Sequence, residues 1–70
     1  MKDYITVQQT EAVKKLGYTL TQWKKADHWR LYINAGRHQR GYIDMITGEI
    51  HESGPRFLDD LNKIKTIITA

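Results

Sequence analysis

Hydrophobic and polar positions change period twice along the chain, from helical to alternating and back to helical. Thr6-Val7-Gln8-Gln9 has the form of a capping box, with threonine as N-cap and glutamine three residues on, and Ile5 stands where a hydrophobic staple would. The helix it opens is predicted to run to Leu16 and stop at Gly17, which suits the left-handed conformation beyond a helix end. Ala12, Val13 and Leu16 form its apolar stripe. From Tyr18 to Trp23 the pattern alternates, with Tyr18, Leu20 and Gln22 on one side and Thr19, Thr21 and Trp23 on the other, as in a strand. Lys24-Lys25-Ala26-Asp27 is a polar turn. Trp29 to Ala35 alternates more cleanly, placing Trp29, Leu31, Ile33 and Ala35 inward and Arg30, Tyr32 and Asn34 outward.

Gly36-Arg37-His38-Gln39 reads as a hairpin tip, and a third strand starts at Gly41 and reaches Asp44. Two loops are compatible with the next hairpin. A Thr47-Gly48 loop would set Met45 opposite Ile50, whereas a Met45-Ile46-Thr47-Gly48 loop sets Ile43 opposite Ile50. The longer loop is favoured because it employs Asp44 as a cap for the turn amides and Gly48 for a positive φ. Pro55 after Ser53-Gly54 marks a helix start. Phe57, Leu58, Leu61, Ile64 and Ile68 then come at helical spacing, with Asp59 and Asp60 early and Lys63 and Lys65 later, as the macrodipole favours. The predicted fold is α+β: an N-terminal helix, an antiparallel meander of three or four strands and a C-terminal helix, with both helices on one sheet face and residues 1–70 in one domain.

Composition narrows the class. The chain has 70 residues, 40% of them hydrophobic and 27% charged, and no cysteine. That balance is too apolar for disorder, and the missing thiols exclude a disulfide scaffold, a zinc ribbon and a cysteine nucleophile. The longest apolar run, Leu31-Tyr32-Ile33, provides neither a membrane span nor a signal-peptide core, so a soluble cytoplasmic domain without membrane contact is expected. A chain this short must pack its eight isoleucines and five leucines efficiently or dimerise, which leaves a homodimer open.

The net charge is only +3, yet it is unevenly spread. Lys24, Lys25, Arg30, Arg37 and Arg40 against Asp27 alone give residues 24–40 a net +4. Asp44, Glu49, Glu52, Asp59 and Asp60 against Arg56 give residues 41–62 a net −4. Cations interleaved with rings suit a nucleic-acid strand, because the cations neutralise phosphates and the rings stack on bases. The candidate binding residues are therefore Lys24, Lys25, Arg30, Arg37, His38 and Arg40 for phosphate or an acidic partner, and Tyr32 and Tyr42 for stacking. The same face could instead be a solvated one or a protein contact.

Catalytic and cofactor motifs are absent. No two of His28, His38 and His51 have the spacing of a helical zinc site, and the five glycines fit neither a phosphate loop nor a dinucleotide fold, so no metal or cofactor is expected. His51 is predicted near Asp44 across a hairpin. A non-enzymatic binding module is the favoured expectation, its partner a nucleic acid or a nucleic-acid-processing protein complex.

The element order resembles the double-stranded-RNA-binding fold and the small HicA-type toxins, which look like that fold turned into an RNA-cleaving enzyme. Leu16-Gly17-Tyr18 resembles that family's Gly-aromatic step, and Asp27-His28-Trp29 occupies the place of its Gly-Ser-His stretch, with Ala26-Asp27 where the family has Gly-Ser. The resemblance implies RNA binding, and a cleavage alternative with His28 as catalyst. A helix-turn-helix over Ala12 to Lys25, with Trp29 to Asp44 as a wing, is a further alternative. A third class is a small inhibitor or adaptor of the kind phages carry against host defences such as CRISPR–Cas, which acts by protein–protein binding. Trp23, Trp29, Arg30, Tyr32, Arg37 and Tyr42 are residue types found at interface hot spots.

Overall fold

The capping box sets the first helix. In the computed structural model, which describes residues 4–69, the Gln9 amide donates to Thr6 Oγ1 at 3.0 Å and the Thr6 amide donates to Gln9 Oε1 at 2.9 Å. Helix α1 covers Val7–Lys15, Leu16 caps it, and Gly17 comes next at φ 94°. Its inner face differs from the predicted stripe. Val13 is fully buried, but Leu16 is 42% exposed and the second buried position is Gln9. The Gln9 Nε2 donates to the carbonyls of Ile67 and Ile68, both at 3.2 Å. A polar residue is buried there because it satisfies carbonyls that the end of the second helix leaves without intrahelical donors.

The sheet has four strands: β1 Thr19–Lys24, β2 Trp29–Ala35, β3 His38–Asp44 and β4 Ile50–Glu52. They are antiparallel and lie in the order β1-β2-β3-β4, the predicted meander in its four-stranded form. A strand over Thr19–Lys24 leaves no recognition helix, so the helix-turn-helix alternative does not hold. Ile43 pairs with Ile50, and Asp44 Oδ1 accepts from the amides of Ile46 at 2.9 Å and Thr47 at 3.1 Å. The longer of the two loops is therefore the one adopted, with Gly48 at φ 82°. Met45 folds back as its amide donates to the Trp29 carbonyl at 2.7 Å, and its side chain enters the core.

The β2–β3 hairpin departs from the sequence reading. Its tip is the two-residue Gly36-Arg37 turn, and His38 already pairs with Ala35. The register then slips: Asn34 pairs with Gln39, Ile33 pairs with Gly41, and Arg40 is the extra residue of a bulge. Gly41 has φ 144°, and a Cβ there would collide with the His51 carbonyl and come within 2.9 Å of Leu61. Only glycine fits this crossing.

Pro55 begins a single 3-10 turn, Pro55–Phe57, which leads into α2, Leu58–Ile68. Leu61, Ile64 and Ile68 are fully buried and join Val13, Leu31, Ile33 and Ile43 in one core with Tyr18, Trp29 and Met45. Leu58, predicted in this stripe, is 40% exposed, because the chain turns into α2 from the 3-10 segment and Phe57 takes the inner position. Both helices thus cover one sheet face and leave the other open. No helix among the described residues is long and apolar enough to cross a membrane.

Candidate functional site

Strand register decides which side chains share the open face. Side chains directly opposite in an antiparallel pair project to the same side. The three buried residues of β2, Trp29, Leu31 and Ile33, define the helix-covered side, so Arg30, Tyr32 and Asn34 define the other. Tracing the pairs outward from β2 gives one row of Trp23, Arg30 and Asp44, and a second of Thr21, Tyr32, Tyr42 and His51. A third row holds Thr19, Asn34 and Gln39.

The centre of this face is an ordered stack. Tyr42 and His51 lie nearly parallel, with ring centroids 4.5 Å apart and an interplanar angle of 17°. Tyr32 is tilted against Tyr42 at 5.2 Å. The Arg30 guanidinium sits 5.0 Å from the centre of the Tyr42 ring. Its hydrogen bond to Tyr32 foremost, and then the nearby Tyr42, hold its pKa above the ordinary arginine value. Asn34 Nδ2 donates to Thr21 Oγ1 at 2.9 Å, tying β2 to β1. Trp23, at the edge, is 50% exposed, and Lys25 Nζ lies 5.4 Å from its ring centre.

Of the residues proposed from sequence, Arg30, Tyr32 and Tyr42 come together at the centre of the open face. Lys25 flanks the same face beside Trp23, while Arg37 lies at the opposite end, in the hairpin turn. Three residues do not join them, the first being His38, which pairs with Ala35 and so projects to the helix-covered side. Lys24 pairs with Trp29 and its ammonium lies 5.5 Å from the Trp29 ring, on the helix-covered side. Arg40, displaced by the bulge, packs its guanidinium 4.6 Å from the Phe57 ring, and its charge is felt by Tyr18. Arg37, His38 and Arg40 are grouped by sequence adjacency, and the pairing of His38 with Ala35 and the slipped register at Arg40 separate all three.

Two ring-bearing members of the face, Trp23 and His51, are not among the residues expected to contact phosphate or stack, Trp23 being expected only as an interface residue type. The alternation of β1 already placed Trp23 beside Thr19 and Thr21. His51 is implied by the Ile43–Ile50 pairing, since the next residue along β4 must oppose Tyr42. The expected approach of His51 to Asp44 is not seen. His51 Nε2 lies 3.3 Å from Glu49 Oε2, and the Asp44 carboxylate is held by the turn amides. Those bonds lower the Asp44 pKa, the Thr47 amide most, against an opposing effect of burial.

His28 occupies an exposed turn with Asp27 at 3.5 Å. No group of three His, Cys, Asp or Glu side chains among the described residues is placed to hold a metal ion. The open face therefore offers cations, rings and amide groups suited to binding. Comparison of the chain with protein-family models, curated proteins and solved structures finds no match.

Proposed function

We propose that this protein is a small non-enzymatic binding module that engages nucleic acid through its open sheet face and hairpin tip. The observation that carries this function is the uncovered cluster of Trp23, Arg30, Tyr32, Tyr42 and His51, with Lys25 beside it. Arg37 stands at the far end of β2, about 20 Å along a strand of this length. Cations at both ends with rings between them fit a polyanion laid along β1 and β2. Lys25, Arg30 and Arg37 contact phosphates, and Asn34 provides a polar contact near the tip.

One observation favours a second reading, a protein surface as the partner. Tyr42 is occupied on both sides, by Arg30 and Tyr32 from β2 and by His51 from β4, and Asp44 and Glu49 give the β3–β4 end the opposite sign. A preorganised face of Trp, Tyr and Arg that carries both charges suits an inhibitor or adaptor docked on a nucleic-acid-processing complex.

Titration of the purified protein against labelled single- and double-stranded RNA and DNA, on gels that also reveal shortened strands, separates these functions. Salt-sensitive binding without cleavage is expected. If every probe stays free at low salt, the nucleic-acid function fails and the protein-partner reading replaces it. Shortened RNA that disappears in His28→Ala would make the protein a nuclease.

A further inference from the structure

We infer that Trp23, flanked by Lys25 and Arg30, is the platform on which one unpaired base stacks, so that the ligand is single-stranded nucleic acid. The inference rests on the nucleic-acid function proposed above and specifies its substrate class.

The occupancy of the rings supports it. Tyr32 and Tyr42 are the stacking candidates from sequence, yet Tyr32 packs tilted against Tyr42, and the neighbours of Tyr42 on both sides leave no ring face for a base. The part of Tyr42 is positional: it fixes the Arg30 guanidinium over its own ring. Trp23 differs. It lies on the edge strand, is 50% exposed and has Arg30 as its cross-strand partner. Where Tyr42 has rings and a guanidinium on both sides, Trp23 has, among the described residues, only the Lys25 ammonium over its ring, 5.4 Å from the centre, which leaves one side of the indole for a base. A large ring between two cations matches a nucleotide, whose base stacks while the adjoining phosphates meet the charges. Asp44 lies beyond Arg30 in the same row, but its carboxylate oxygen accepts from the Ile46 and Thr47 amides. A duplex keeps its bases stacked internally and cannot offer one to Trp23, which makes strandedness the discriminating property.

Tryptophan emission reports on this directly. The chain has two tryptophans, and Trp29 is only 6% exposed, so changes in the solvent-exposed emission come from Trp23. The probes are ten-nucleotide oligo(U), oligo(dT) and a ten-base-pair duplex, titrated at low salt. Expected are quenching by the single strands, weaker binding of the duplex, and a loss of affinity of roughly 5- to 150-fold in Trp23→Ala, the range seen for one base–aromatic stack. Trp23→Phe keeps most of the affinity and Lys25→Ala weakens the salt dependence; both hold the test if Trp23→Ala unfolds. Undiminished affinity in Trp23→Ala, or in Lys25→Ala together with unquenched emission, overturns the inference, as does a preference for the duplex. In each of those cases nucleic-acid binding itself stands. Absence of binding to all three probes overturns both.

Discussion

Replacing Gly41 by alanine should unfold most of the molecule, whereas the same change at Gly36 should be mild. Both glycines have positive φ, 144° at Gly41 and 60° at Gly36. At Gly36 an added Cβ meets nothing within 4 Å, so only backbone strain of about 1–2 kcal/mol is incurred. At Gly41 the Cβ meets the His51 carbonyl, Leu61 Cδ1 at 2.9 Å and Glu52 Cα at 3.0 Å. The first and last of these are backbone atoms of β4, which can move only by breaking the β3–β4 pairing. That pairing holds Ile50 against Ile43 and His51 against Tyr42, and its loss adds at least a further ~2 kcal/mol of strand pairing and core contact. A total of roughly 3–5 kcal/mol equals the whole stability expected of a core this small. Thermal melts and urea titrations monitored by far-UV circular dichroism measure the difference. Gly36→Ala should lower Tm by about 4–16 °C, while Gly41→Ala should show no cooperative transition at 25 °C. Equal stability of the two variants would refute the bulge and the close approach of β4.

The remaining predictions concern the turn and the basic residues. Asp44→Ala should destabilise by about 1–3 kcal/mol through loss of two hydrogen bonds to the turn amides, and Asp44→Asn, which retains an acceptor, by less; urea unfolding ranks them. Because the folded Asp44 pKa lies below its ordinary 3.8, chiefly through the Thr47 amide, its contribution is present above 3.8 and fades as pH falls through the lower folded value. Asp44→Asn should therefore flatten the acid limb of the stability curve, and an unchanged limb would contradict this linkage. Arg37→Glu should weaken nucleic-acid binding with Tm nearly unchanged, since Arg37 is in the exposed tip. Arg40→Glu should do the reverse, lowering Tm by a few degrees through its lost contact with Phe57 while sparing affinity; matching effects would show that both belong to one site.

Much of the fold was readable because local signals agree with the global arrangement. The Thr6–Gln9 box, the alternation from Trp29 to Ala35 and the Asp44–Gly48 turn each point to a single local structure, and each is present as expected. The departures arise where tertiary contacts decide. Gln9 was legible only as the capping-box partner of Thr6, and the end of α2, nearly sixty residues away, gives its amide a second, buried role. Arg40 looked like part of the tip because no local feature reveals a bulge, and the demand for glycine at 41 comes from β4. For the candidate site, alternation located Arg30 and Tyr32 correctly, and the hairpin brought in Tyr42. The Ile43–Ile50 pairing already implies that His51 opposes Tyr42, but the stacking of the two rings depends on side-chain rotamers that the alternation does not encode.

The salt dependence of affinity for a single-stranded oligonucleotide tests the central claim, that the open face binds nucleic acid, most directly. Three phosphate contacts, from Lys25, Arg30 and Arg37, predict a slope of log K against log salt concentration of about −2. A slope near that value that becomes shallower in Arg30→Ala would agree with the account. Binding that ignores salt, or a slope untouched by the loss of Arg30, would contradict it.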